Sequence, residues 1–157
     1  MIKILFICHG NICRSTMAEY IFKDIVRKHN KERDFYIDSA ATSREEIGNP
    51  VDIRTRKKLE EEGIYCGNHS ARQVTKKDYD EFDYLFIMDS ENAWGLKRII
   101  QDDPENKIHK LLDFSANPTD IDDPWYTHDF NKCYDQILRA CKDIYSYIEK
   151  RQASSYF

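Results

Sequence analysis

Apolar positions along this chain fall into short continuous runs alternating with amphipathic stretches. Residues 2–7 are apolar almost throughout and end at Cys8. A run of that length, rich in β-branched residues, reads as a strand buried on both faces. From Thr16 onward, Met17, Ala18, Ile21, Phe22, Ile25 and Val26 share one helical face, with Thr16 and Glu19 placed as a capping box. Polar residues from Arg27 to Lys31 end that helix, and residues 35–40 read as a second strand. Strand, helix and strand in that order predict parallel pairing. Residues 41–49 read as a loop. Pro50 and Gly63 bracket a helix that presents Val51, Ile53 and Leu59. Residues 64–78 read as irregular and polar.

The third strand is expected over 84–88. A helix then begins at Asp89 and Ser90, with Ala93, Trp94, Leu96, Ile99 and Ile100 turned inward. Residues 108–112 predict a fourth strand and 113–128 a loop. A helix over 130–150 carries the stripe Cys133, Ile137, Cys141, Ile144 and Ile148, which makes both cysteines core residues rather than ligands. The expected fold is α/β: a three-layer, four-stranded parallel sheet flanked by helices on both faces. One domain is expected over 1–157, with a flexible polar tail at 152–157. Sites in such sheets lie at the carboxyl ends of the strands, near the reversal of strand order. Cys8, Ser39 and Asp89 all fall at such ends.

Composition narrows the picture. With 24 Lys and Arg against 28 Asp and Glu, the net charge is −4, which gives no electrostatic case for nucleic acid. Five cysteines without paired spacing suit a reducing, cytoplasmic setting. Residues 1–8 are too short for a signal peptide, and no apolar run approaches the ~20 residues of a membrane span. A nucleic-acid or membrane partner is therefore not expected.

The chemistry concentrates at 8–15, CHGNICRS, between the first strand and the first helix. A tight loop there aims backbone N–H groups and a helix N-terminus at one point, which suits a tetrahedral oxyanion such as phosphate. Cys8 would lie at the bottom of the loop and Arg14 at its rim, where a planar guanidinium can grip two phosphate oxygens. The thiolate, not the thiol, is the nucleophile. A helix terminus supplies up to ~2 kcal/mol toward that form. The rest is expected from N–H···S bonds, the Ser15 hydroxyl and the Arg14 charge. Gly10 and Asn11 are the residues that best tolerate a left-handed backbone.

CHGNICRS resembles the signature loop of the low-molecular-weight protein tyrosine phosphatases. The resemblance extends over nearly the whole chain. It implies hydrolysis of phosphotyrosine proteins or small aryl phosphates through a cysteinyl-phosphate, with no cofactor and no metal. Cys8 would be the nucleophile and Arg14 the phosphate ligand. Residues 123–126, Asp-Pro-Trp-Tyr, resemble the family's acid loop and give Asp123 the role of general acid and later base. Asp122 is its neighbour and a confounder. The Asp102-Asp103-Pro104 copy lacks the aromatic pair and reads as a helix terminator.

Substrate contacts are expected from His9, Gly10, Asn11, Ile12, Cys13, Ser15, Glu45, Trp125 and Tyr126. The resemblance implies that Ser39 and His69 pin the loop through Asn11, and Asp89 is expected to orient His69. The family resemblance also implies that Cys13 can trap an oxidised Cys8 as a disulfide, and that Tyr126 is a phosphorylation position. This sequence departs from the pattern at His9, at Thr16 and at Glu45, where many relatives carry an aromatic wall. Glu45 and Glu46 would disfavour acidic peptide flanks. An arsenate reductase-like enzyme, an arginine phosphatase of the same fold and a non-catalytic phosphate-binding module are the alternatives. Residues 78–95 lack the extra cysteines of the first. Ile12 stands where the second has a small polar residue, and Cys8 with Asp123 argues against the third. Cys8, His9 and Cys13 lack a fourth ligand for structural zinc.

Overall fold

The computed structural model describes residues 1–154. Four parallel strands form its sheet: β1 (Ile2–Cys8), β2 (Phe35–Ala41), β3 (Tyr84–Ile87) and β4 (Ile108–Lys110), in the order β2-β1-β3-β4. The helices are α1 (Arg14–Lys28), α2 (Ile53–Glu61), α3 (Lys76–Glu81), α4 (Ser90–Ile100), the single turn α5 (Pro124–Thr127) and α6 (Phe130–Ser154).

The period-two alternation of β1 divides the core. Ile4, Phe6 and Cys8 face one layer with α1, α2 and α6, where Met17, Ile21, Leu59, Ile137, Cys141 and Ile144 are buried. Leu5 and Ile7 face the other with Leu85, Ile87, Tyr79 of α3 and Leu96 of α4. Both faces of β1 are thus dry, as its unbroken apolar run requires. The strand order reverses between β1 and β3, and the loop after Cys8 opens there. Among the described residues no helix is long and apolar enough to cross a membrane.

Several local expectations are corrected. Helix α1 starts at Arg14, not Thr16; the Thr16 hydroxyl donates back to the carbonyls of Ile12 and Cys13 at 2.9 Å each. Glu19 is buried and bonded elsewhere, so no capping box forms. Helix α2 starts at Ile53, with Asp52 rather than Pro50 setting its end: the Asp52 carboxylate accepts the Arg54 N–H at 2.8 Å. Gly63 follows the helix at φ +71, a left-handed stop that glycine tolerates best. Ile53 lies outward, 74% exposed, and Thr55 takes the inward position.

Residues 64–78 are not wholly irregular, because Thr75 and Asp78 form a reciprocal capping box that starts α3. On α4, Ala93 and Trp94 face solvent, while Asn92 turns in and accepts the Met88 N–H at 3.0 Å. Strand β4 ends at Lys110, and Leu111–Phe114 tighten into a 3-10 turn. Helix α6 continues through Ser154, so residues 152–154 of the expected tail are helical. Its remainder, 155–157, lies outside the described residues.

Candidate active site

The loop between β1 and α1 closes around Cys8. Cys8 is 3% exposed, and its sulfur accepts the Asn11 N–H at 3.3 Å and lies 3.0 Å from the Ser15 hydroxyl oxygen. The Asn11 side-chain amide donates to that same oxygen at 2.8 Å, which leaves the Ser15 proton free to point at sulfur. Asn11 takes φ 62, so the left-handed residue of the loop is Asn11. Gly10 has no such φ; a Cβ there would press on Glu46 at 3.3 Å, so its lack of a side chain serves a close approach instead.

A network that is buried at Ser15, Ser39 and Glu19 and part-buried at His69 and Arg72 holds Asn11 in place. Its amide also donates to Ser39 at 2.9 Å, and its Oδ1 meets His69 Nε2 at 2.7 Å and the Arg72 N–H at 3.2 Å. Ser39 donates to Glu19 at 2.5 Å, so the hydrogen on His69 Nε2 is the one that faces Asn11. The other ring nitrogen faces Glu19 and Asp38 at 3.4 and 3.6 Å. Among the described residues, Glu19, Asp38 and His69 are the group whose donor atoms converge enough to hold a cation. Both Glu19 oxygens and Asp38 Oδ2 are already engaged, by Ser39, Lys23 and Arg72. Asp89 does not orient His69; that expectation is corrected by Glu19 and Asp38.

Asp89 serves Arg14 instead. The Arg14 guanidinium, 2% exposed, donates to Asp89 at 2.6 Å and to the Ile121 carbonyl at 2.7 Å through Nη1, and reaches Asp123 at 3.4 Å through Nη2. Burial opposes its charge, but Cys8, Asp123 and Asp89 outweigh burial and raise its pKa above the ordinary arginine value. Asp123 caps α5, its Oδ1 accepting the Trp125 N–H at 3.0 Å. Asp122 turns away to Lys132 at 3.3 Å, which removes the confounder. Cys8, His9, Gly10, Ile12, Cys13, Arg14, Glu45, Glu46, Asp123, Trp125 and Tyr126 enclose one cleft of about 110 Å³. On its rim His9 meets Glu45 at 3.0 Å, both exposed.

Residues 3–154 match the family of low molecular weight phosphotyrosine protein phosphatases. The chain belongs to that family. It is 38% identical to the low molecular weight protein-tyrosine-phosphatase YfkJ of Bacillus subtilis, over 97% of this chain and 99% of that one. It is 42% identical to the Gallus gallus low molecular weight phosphotyrosine protein phosphatase over 94% of each. The crystal structure of YfkJ superposes with a TM-score of 0.92 over 96% of both chains. A Drosophila arginine phosphatase superposes with a TM-score of 0.84 at 32% identity, over 94% of this chain and 98% of that one.

Within this family fold the cleft has a further support that lies outside the loop motifs. Arg54 of α2 is bonded to Asp52 through Nε and Nη2 and lies over the rings of Trp125 and Phe130. Nothing local marks it, because α2 reads as a charged, solvated helix. All five cysteines are free thiols. Burial, then Asp52 and Cys8, push the Cys13 thiol far up from its ordinary value. Cys13 therefore stays protonated beside Cys8.

Proposed function

We infer that this chain hydrolyses phosphotyrosine and aryl phosphate monoesters by two displacements at Cys8, acting as one phosphatase domain. The observation that carries this reading is that Cys8, Arg14 and Asp123 line a single cleft, with the sulfur beneath the Asn11 N–H at a helix N-terminus.

In the first step the Cys8 thiolate attacks phosphorus, and the S–P bond forms as the P–O bond to the aryl group breaks. Asp123 gives its proton to the departing phenolic oxygen, a contribution of ~10²–10⁴-fold when the leaving group is poor. Arg14 and the loop amides hold the equatorial oxygens as charge develops. In the second step water attacks phosphorus, Asp123 takes its proton, the S–P bond breaks, and inorganic phosphate leaves with the thiolate restored. Ser15 donates to sulfur in both steps. Asn11, Ser39 and His69 keep the loop in its left-handed shape. Gly10 lets Glu46 pack beneath it, and His9, Ile12, Cys13, Glu45, Trp125 and Tyr126 line the way in.

The relatives named as phosphotyrosine phosphatases support the substrate class. The similarity to an arginine phosphatase supplies a second reading. Ile12 favours the first: an apolar side chain beside Trp125 and Tyr126 offers an aryl ring a better surface than it offers a guanidinium. The five unpaired thiols suit the cytoplasm.

The test is metal-free turnover of a phosphotyrosine peptide, an aryl phosphate and a phosphoarginine peptide by wild type, Cys8→Ser and Asp123→Ala. Turnover of the two aryl esters that vanishes in Cys8→Ser supports the reading. Preference for phosphoarginine would replace it.

A further inference from the structure

We propose that Arg54 is a positioning residue that holds the acid loop over Cys8 from the neighbouring helix. This rests on the reading in which Asp123 donates the proton. Asp52 caps α2 and grips Arg54 along one edge, accepting Nε at 3.1 Å and Nη2 at 3.0 Å. That two-point grip fixes the guanidinium plane, as a single contact to a lysine would not.

The guanidinium carbon lies 5.2 Å from the centroid of the Trp125 ring and 4.8 Å from that of Phe130. Both are within the ~6 Å range over which a cation is drawn to an aromatic ring. The two rings flank the stretch that joins α5 to α6, so one side chain ties both ends of that stretch to α2. Trp125 in turn supplies the N–H that Asp123 Oδ1 accepts at 3.0 Å, which leaves Oδ2 facing Arg14 at 3.4 Å. A shift of Trp125 therefore turns the carboxyl group away from the leaving oxygen. Arg54 touches no reacting atom; it acts through Trp125.

This role separates from a merely structural one by leaving-group dependence. Phenyl phosphate needs the acid, whereas para-nitrophenyl phosphate, with a far better leaving group, needs it little. The ratio of their kcat/KM values, phenyl phosphate over para-nitrophenyl phosphate, reads how well Asp123 is aimed, because kcat/KM ends at the first displacement and excludes the hydrolysis both esters share. Arg54→Met is expected to lower that ratio ~10-fold, since a misplacement of about 1 Å can cost up to ~10²-fold. Asp52→Asn, which can still cap the helix, should lower it less, and Arg54→Lys should restore part of it. In a Trp94→Phe background Trp125 is the one remaining indole, and its emission should shift in Arg54→Met.

Asp123→Ala is the reference. If it collapses the ratio while Arg54→Met leaves the ratio at the wild-type value, the positioning role is overturned and the assignment of the acid stands. If Asp123→Ala leaves the ratio unchanged, both fall. Should Arg54→Met fail to fold, Asp52→Asn decides on the same ratio: a fall supports the role and a wild-type value rejects it.

Discussion

The two loops that meet over Cys8 are built in opposite ways. The loop from Cys8 to Ser15 is sealed: Asn11, Arg14 and Ser15 are buried, and their polar atoms bond to partners on α1, β2, the segment before α3 and the cap of α4. The loop around Asp123 is open: Trp125 is 47% exposed and Tyr126 78%, and Asp123 is held by one local N–H and by Arg14. A cradle that must hold a doubly charged group gains from dipoles aimed in advance, because nothing then has to reorganise during the reaction. A proton donor has to admit the substrate, act and let the product go, and a loop with few buried contacts opens at low cost. Damage to the first loop should therefore appear in folding as well as in rate. Damage to the second should appear mainly in rate, and chiefly for poor leaving groups.

The largest effect should come from the sealed loop. Cys8→Ser is expected to lose on the order of 10⁴-fold or more in kcat toward an aryl phosphate, since without the nucleophile only binding and electrostatics remain. Vanadate binding, followed by calorimetry, should persist because the amides and Arg14 are untouched. Turnover within tenfold of wild type would mean that Cys8 is not the nucleophile. Asp123→Ala comes next, at ~10²–10⁴-fold in kcat/KM for phenyl phosphate and far less for para-nitrophenyl phosphate. Its stability should fall by about 1 kcal/mol at most, the usual cost of one lost helix cap. A large loss of stability would mean that the open loop is structural after all.

Asn11→Ala sharpens the contrast from the other side. It strips partners from Ser15, Ser39, His69 and the Arg72 N–H, all at buried or nearly buried positions. It also asks alanine to adopt φ 62. Each stranded polar group costs ~1–3 kcal/mol, and the backbone strain adds to that. A total of about 2–4 kcal/mol in urea unfolding is expected, some relaxation included, with a fall in kcat/KM. A variant as stable as wild type would show that the network is ornamental.

The same contrast explains what the sequence made legible. The sealed loop could be read at once because its chemistry is contiguous: Cys8 to Ser15 are neighbours on the chain, between a dry strand and a helix. The sheet was equally plain, since β1 and β3 are apolar on both faces. What stayed hidden acts across long separations. Asp89 lies 75 residues from the Arg14 it holds, and Asp38 and Glu19 meet His69 from two different elements. Arg54 sits on a helix whose composition reads as solvated.

The helix ends missed for a related reason. Thr16 has the residue type of a cap, yet the loop geometry already supplies a helical start at Arg14, and its hydroxyl turns back to Ile12 and Cys13. The hydrophobicity of Trp94 predicts an inward position, but Asn92 takes the buried position because the Met88 N–H needs an acceptor there.

The smallest effect concerns acid. Burial pushes the Asp52 carboxyl toward neutrality, but the side-chain and backbone bonds from Arg54 prevail and hold its pKa below the ordinary carboxylate value. A carboxylate with a lower pKa in the fold than in the unfolded chain binds fewer protons when folded. Its contribution is therefore complete above the unfolded value of about 3.9 and is lost as pH falls through the lower folded value.

Asp52→Asn resembles the protonated side chain, so the two proteins should differ most near neutrality and converge in acid. For a partly exposed ion pair the gap should be about 0.5–1 kcal/mol, read as a difference in melting temperature at a series of pH values. Other carboxylates held below their usual range, such as Asp103 and Asp120, titrate alike in both proteins and cancel. A gap that stays constant from neutrality down through the folded-state titration would mean that the Asp52 charge does not hold Arg54. The Trp125 and Phe130 rings, rather than that carboxylate, would then hold Arg54 in place.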